Sequence, residues 1–181
     1  MFNNLINRMT TSNIRIAFMG PMRSGKDASA EIAIRLYGGE IIKFAQPLYD
    51  MQKYIYERSY LTCPDKDRLL LQWLGTEWGR SKDPDIWVNI FLKDLENKKG
   101  HLYVTDCRFK NEARILRDHG FKLYRIDRPL EERIKAGASL MTHASEKDLE
   151  DFDEYDEVID NSKTLEDLEQ LLKAALSQKT A

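Results

Sequence analysis

The sequence predicts an α/β fold built on a mostly parallel sheet, and three observations carry that reading. Short apolar runs with strand character alternate with amphipathic helical stretches along nearly the whole chain. Gly and Pro breakers punctuate the changes of period. A glycine-rich turn stands where the first strand meets the first helix. Strands joined through helices imply right-handed crossovers, and such sheets bind ligands at the carboxyl ends of their strands.

The elements follow in order. Ile14 to Phe18 is a short strand stopped by Gly20-Pro21, and a helix runs from Asp27 to Tyr37 with Ile32, Ala33 and Leu36 inward and Gly38-Gly39 closing it. Ile41 to Phe44 is the second strand. Helical stretches span Pro47 to Arg58, Lys66 to Arg80, and Pro84 to Glu96, the last with Asp83 as N-cap and Pro84 at the first helical position. Leu102 to Thr105 is the third strand, followed by a helix from Lys110 to His119 that Gly120 closes. Phe121 to Ile126 is the fourth strand, and a helix begins near Pro129. Val158-Ile159 marks a fifth strand. Thr164 to Leu176 is a final helix with Leu165, Leu168, Leu171 and Leu172 inward. Residues 45–98 are too long for a bare crossover and read as an inserted lobe covering a substrate.

Composition narrows the class. The 181 residues show no internal repeat or low-complexity linker, so residues 1–181 read as one domain. With 42% hydrophobic and 10% aromatic residues, a core forms without metal or disulfide staples. Lys plus Arg total 28 against 30 Asp plus Glu, a formal charge of −2. That balance argues against a polymeric nucleic-acid partner held by bulk charge, while a local basic pocket stays open. Cys63 and Cys107 form no CxxC pair, which excludes a disulfide framework or zinc ribbon and fits a reducing compartment. No run approaches the about 18 apolar residues of a membrane span. Residues 1–12 lack the apolar stretch of a signal peptide. A cytoplasmic location is expected.

The chemistry concentrates in Gly20-Pro21-Met22-Arg23-Ser24-Gly25-Lys26-Asp27, a GxxxxGK phosphate loop in its required strand-to-helix context. Glycines let backbone amides converge on phosphate oxygens, the helix N-terminus adds positive potential, and Lys26 supplies a point charge. Asp27 stands where Ser or Thr ordinarily meets Mg²⁺; a carboxylate can hold the ion directly or through water.

Asp106 ends the third strand, the placement of a Mg²⁺-water ligand or base, with Arg108 at the same rim; equally, it could cap the next helix and pair with that arginine. Arg80 either grips an acceptor phosphate or complements its helix dipole. Trp73, Trp78 and Trp87 offer faces for a base, with core packing the alternative. Arg125, Arg128 and Arg133 gather at the fourth strand end, where a lid would carry arginines onto the transferring phosphate, or else form a solvated face with Glu131 and Glu132. The acidic stretch from Asp148 to Asp160 reads as a connector anchored by Phe152, Tyr155 and Val158. His101 and His143 lack a zinc-binding spacing, and Cys107 reads as strand-end packing.

These motifs together resemble the bacteriophage-type deoxynucleoside monophosphate kinases and, more distantly, the animal-type phosphomevalonate kinases of the same P-loop superfamily. The markers are Gly25-Lys26-Asp27, Phe44-Ala45-Gln46-Pro47-Leu48, Leu70 to Glu77, Trp87-Val88, Thr105 to Phe109, Asn111-Glu112-Ala113, His143-Ala144-Ser145-Glu146 and Asn161. The resemblance implies a nucleoside monophosphate kinase-like three-layer sandwich: a five-stranded parallel sheet, a helical substrate lobe at about 45–98 and a lid at about 128–146. It implies ATP held by Gly20, Met22, Arg23, Ser24, Gly25, Lys26, Asp27 and Ala28, with Arg133 on the lid and Asn161 near the adenine. Mg²⁺ would lie near Asp27 and Asp106. The acceptor would lie among Phe44, Gln72, Thr76, Arg80, Trp87, Arg108 and Glu112, with Lys26, Arg23, Asp106, Arg108 and Arg128 catalytic. The implied partners are small molecules, ATP and a dNMP, with neither membrane nor nucleic-acid polymer; a helical homodimer interface on the face from Lys66 to Arg80 is conceivable. Two other readings stand beside it: a kinase of another phosphorylated metabolite such as phosphomevalonate, and a nucleotide-dependent switch.

Overall fold

Strand β1 (Arg15–Met19) lies at the centre of a five-stranded sheet, between β3 (Leu102–Val104) and β4 (Lys122–Asp127), with β2 (Glu40–Ile41) and β5 (Glu157–Asp160) at the edges. The computed structural model describes residues 13–138 and 148–177. Every pairing is parallel, with Ile16 opposite both Tyr103 and Lys122. Parallel neighbours need crossovers, and the helices supply them. The carboxyl ends of all five strands therefore meet at one edge.

The two-residue side-chain period of the strands sorts the core into two layers. Ile16, Phe18, Tyr103, Tyr124 and Ile126 face helices α1 (Lys26–Tyr37) and α7 (Leu165–Ser177). Ala17, Met19, Leu102, Val104 and Leu123 face α4 (Ile86–Glu96) and α5 (Lys110–Asp118), with Phe152 closing that side. This is the three-layer sandwich expected. Within α7 the buried stripe is Leu168, Leu172 and Leu176, so Leu168 and Leu172 face inward as expected, whereas Leu165 and Leu171 are exposed and Leu176 takes their place in the core. A short α6 (Leu130–Lys135) follows β4.

Residues between β2 and β3 divide in two. Helix α4 belongs to the sheet, through Val88, Phe91 and Leu95. Helices α2 (Gln46–Arg58) and α3 (Arg68–Gln72) stand away from it on a small core of their own, Leu48, Leu71, Leu74 and Trp87. Asp67 ties this hairpin together. Its carboxylate accepts from the Leu70 amide at 3.1 Å and the Tyr56 hydroxyl at 2.7 Å, while the buried Gln52 side chain accepts from the Asp67 amide at 2.9 Å.

The single helix expected over 66–80 is instead α3 followed by a π-helical segment, Trp73–Arg80. The cause lies across the lobe. The Trp87 indole donates to the Gly75 carbonyl at 2.7 Å, competing for an acceptor that an α-helix would give to Gly79. Its ring lies against Gly79, where a Cβ would stand 2.4 Å from it. The start of α4 also moves. Asp83 accepts from the Asp85 amide at 2.9 Å and so caps a turn before the helix, placing Pro84 in that turn and not at the first helical position.

Tyr103 is fully buried, and its hydroxyl meets no partner among the described residues. Burial pushes that hydroxyl up to about 12. Tyr103→Phe should therefore leave stability unchanged or raise it by about 1 kcal/mol, because it removes a polar group that is desolvated without compensation. Urea unfolding at neutral pH measures this; a loss of stability would mean the hydroxyl is satisfied.

Candidate active site

The phosphate loop leaves β1 through three left-handed residues, Gly20 at φ 136°, Arg23 at 63° and Gly25 at 109°. Two of them are glycine for a reason beyond backbone freedom. A Cβ on Gly20 would lie 2.6 Å from the Ile126 carbonyl oxygen, and one on Gly25 would lie 2.3 Å from the Asn161 side-chain nitrogen. The ends of β4 and β5 thus press directly on the loop. Asn161 Nδ2 donates to the Ser24 carbonyl at 2.8 Å, while the Asn161 amide extends the ladder to the Asp127 carbonyl at 2.7 Å.

Lys26 opens α1, and its ammonium donates to the Gly20 and Pro21 carbonyls at 2.8 and 2.9 Å. A phosphate entering the loop would exchange with those carbonyls for the charge. Ser24 is fully buried, with its hydroxyl unpartnered among the described residues. Asp27 is exposed in the first turn of α1, and Ala28 turns toward the core. Met22 is met from the lobe: the Arg68 guanidinium approaches its sulfur at 3.5 Å, so α3 runs past the loop. Gln72, one turn beyond Arg68, and Thr76 in the π segment are both half-buried.

Beyond β3, Asp106 takes a role that neither reading foresaw. Its two oxygens accept from the Phe44 and Ala45 amides at 3.2 and 2.9 Å, capping the entry to α2. Burial raises its pKa, opposed by those amides and by Arg108 and Lys43. Tyr49, missed in the sequence, is influenced by the same charges. Burial, then the Asp106 carboxylate, push that hydroxyl upward, with Asp27 adding a smaller push and Arg108 opposing.

Arg80 and Glu112 form a buried ion pair, 11% and 4% exposed. The other Glu112 oxygen accepts from the Arg108 and Phe109 amides at 2.7 and 3.1 Å, and the Arg80 guanidinium stacks 3.7 Å from the Phe109 ring. Arg80 does stand in the last turn of its helical segment, as its dipole-complementing reading expects, and it adds this ion pair to that placement. Its charge is paired with Glu112, which also holds the turn that carries Arg108. Phe44 stacks on Phe91 at 4.1 Å and Trp87 is 3% exposed, so neither ring presents a face to a base. They were expected against the acceptor and are instead core residues. Cys107 is buried, which pushes its thiol well up and leaves it a packing residue.

A cavity of about 220 Å³ opens between the loop and the ends of β3 and β4, lined among the described residues by Gly20, Pro21, Arg108, Arg125, Glu150 and Tyr155. Arg125 belongs to the strand and lines this cavity. Its guanidinium lies 5.5 Å from the Tyr155 ring centre and donates to Asp127 at 2.7 Å. The Arg133 guanidinium donates to the Arg128 carbonyl at 3.2 Å, and an Arg23 nitrogen lies 4.0 Å from where a Gly137 Cβ would stand. Arg23, on the loop, thus approaches the arm that leaves β4 and carries Arg128 and Arg133. The marker His143-Ala144-Ser145-Glu146, and the lid beyond residue 138, lie outside the described residues. The acids from Asp148 to Asp156 are largely paired to α5 and β4, through Lys110, Arg117 and Lys122.

The chain is 32% identical over 182 residues to an Acanthamoeba polyphaga mimivirus protein named "Putative deoxynucleotide monophosphate kinase", covering 85% of this chain and 91% of that one. It is 28% identical over 158 residues to the uncharacterised protein ORF77 of Ictalurid herpesvirus 1, covering 84% of this chain and 66% of that one. No protein-family profile matches. Among solved structures, shikimate kinase from Aquifex aeolicus aligns with a TM-score of 0.56 at 18% identity, covering 91% of this chain and 97% of that one. At that identity the likeness speaks for the fold alone. Among the described residues no helix is long and apolar enough to cross a membrane.

Burial moves Glu112 from the usual glutamate range up to about 7, outweighing the attraction of Arg80. The native state then holds this proton more tightly than the unfolded chain does, so its contribution to stability falls as pH rises from about 5 to 7. Glu112→Gln removes that dependence. Urea unfolding of both proteins at pH 5 and pH 7 should show the stability gap shifting toward the variant at the higher pH; a constant gap, or one moving the other way, contradicts the assignment.

Proposed function

The chain belongs to the P-loop nucleoside monophosphate kinase superfamily and is an ATP-dependent phosphotransferase, and from that premise we propose that it passes the γ-phosphoryl group of ATP to a deoxynucleoside monophosphate, giving a dNDP and ADP. The observation that carries this reading is the cavity beside the loop, where Arg108 and Arg125 stand across from the Gly20-Pro21 turn. Two guanidiniums and a phosphate loop lining one hollow suit an acceptor that is itself a phosphate. The Tyr155 ring in the same wall offers a surface for a base or sugar.

The loop amides and Lys26 bind the donor phosphates, and the N-terminus of α1 contributes its positive end. Arg128 and Arg133 stand on the arm after β4, and Arg23 faces that arm from the loop. Arg108, held by the Glu112 turn, and Arg125, braced by Asp127, orient the acceptor phosphate for in-line attack. That phosphate is already anionic near neutral pH, so positioning and charge neutralisation suffice without a strong base. Asp27 in the first turn of α1 and Asp106 just beyond β3 offer hard carboxylate oxygens of the kind Mg²⁺ takes. They would hold the ion mainly through water, since Asp106 already serves two amides. When bound there, the ion would supply neutralising charge to the transferring phosphoryl group.

ADP release should be measured with Mg-ATP and single acceptors: the four deoxynucleoside monophosphates, their ribose counterparts and phosphomevalonate. Turnover on at least one deoxynucleotide is expected; activity on phosphomevalonate alone would overturn the acceptor, and ADP release independent of acceptor would point to a switch. Lys26→Ala should lower turnover by two or more orders of magnitude, about 3 kcal/mol, with the fold retained. Arg125→Gln should raise the KM for the acceptor about tenfold and leave the KM for ATP in place. An unchanged acceptor KM would remove Arg125 from the site.

A further inference from the structure

We infer that Asn161 is a positioning residue of the phosphate loop, which through the Ser24 carbonyl aims the Gly25 N–H at the donor phosphates. This differs from the contact with adenine that the family resemblance suggests. The inference rests on the loop holding the donor phosphates and is independent of which acceptor is used.

Asn161 is 9% exposed, and its position is set by the sheet. Its amide donates to the Asp127 carbonyl, continuing the pairing of β4 with β5 one residue past the Asp127 and Asp160 register. From that fixed point the side-chain nitrogen reaches the Ser24 carbonyl at 2.8 Å. Across a planar trans peptide the C=O and N–H point in opposite directions. Drawing the Ser24 oxygen down toward β5 therefore turns the Gly25 hydrogen up, away from the sheet and toward the open side of the loop.

The residue types agree with this device. The amide nitrogen occupies the space that a Gly25 Cβ would need, 2.3 Å away, so the close approach demands glycine at that position. A backbone N–H swinging freely would pay for its alignment when a phosphate arrives; one already aimed does not. Asparagine fits where aspartate does not, because an acceptor oxygen would face the Ser24 carbonyl.

The test is Asn161→Leu, which keeps the approximate shape without adding charge. Binding of ATP and of inorganic tripolyphosphate is measured by calorimetry for both proteins. Both ligands should bind about tenfold more weakly to the variant, since the lost orientation concerns phosphate alone. Weakened ATP with unchanged tripolyphosphate would reassign Asn161 to the adenine, and no change in either would dismiss it. Should the variant fail to fold, the unaltered protein still decides: tripolyphosphate should move the Gly25 amide proton downfield in ¹⁵N–¹H spectra, and a stationary signal would overturn the inference. Activity on the acceptor panel enters none of these readouts, so the acceptor assignment and this one fail separately.

Discussion

Everything at the functional edge depends on the bracing of one loop by the strands beside it. A loop that presents amides to phosphate must leave those amides unpaired by its own backbone, and an unpaired loop collapses unless something outside it holds the shape. Here the Ile126 carbonyl closes on Gly20, and the Asn161 side chain closes on Ser24 and Gly25. Both come from the carboxyl ends of strands in the same parallel sheet. The sheet order, with β1 between β3 and β4, therefore does more than bury apolar surface. It brings three strand ends to one loop.

On the other flank, charge is buried to fix position. Glu112 binds the Arg80 guanidinium and two consecutive amides, and Asp106 binds two more on the far side of the edge. Each carboxylate spans elements distant in sequence. Buried ion pairs add little net stability over apolar packing, but breaking one leaves an uncompensated charge, which penalises alternative arrangements. The turn carrying Arg108 is held in this way, and Arg108 lines the cavity opposite the loop. Rigid support of that kind lets an acceptor and a donor meet with little reorganisation.

The fold was largely legible in the sequence because its signals are local. Alternating period, breakers and the GxxxxGK turn placed all five strands within a few residues. The exceptions have distant causes. No window containing residues 66–80 shows that the Trp87 indole will claim the Gly75 carbonyl, so the π-helical segment was hidden. The site was legible at the loop and less so elsewhere, because a short motif names a residue without saying which way it faces. Phe44 and Trp87 carry the resemblance yet are buried, and Arg80 spends its charge on Glu112. Tyr49 and the approach of Arg68 to Met22 had no sequence signal, since each depends on how the α2–α3 hairpin leans toward the loop.

The central claim is that one loop serves a donor on one side and a phosphate acceptor on the other. A bisubstrate compound, adenosine joined through five phosphates to a deoxynucleoside, tests it most directly by equilibrium calorimetry. One-to-one binding about a hundredfold tighter than ADP or the matching dNMP is predicted, because the second half binds at high effective concentration. Affinity no greater than that of ADP would mean that the acceptor does not occupy the cavity between Arg108, Arg125 and the loop.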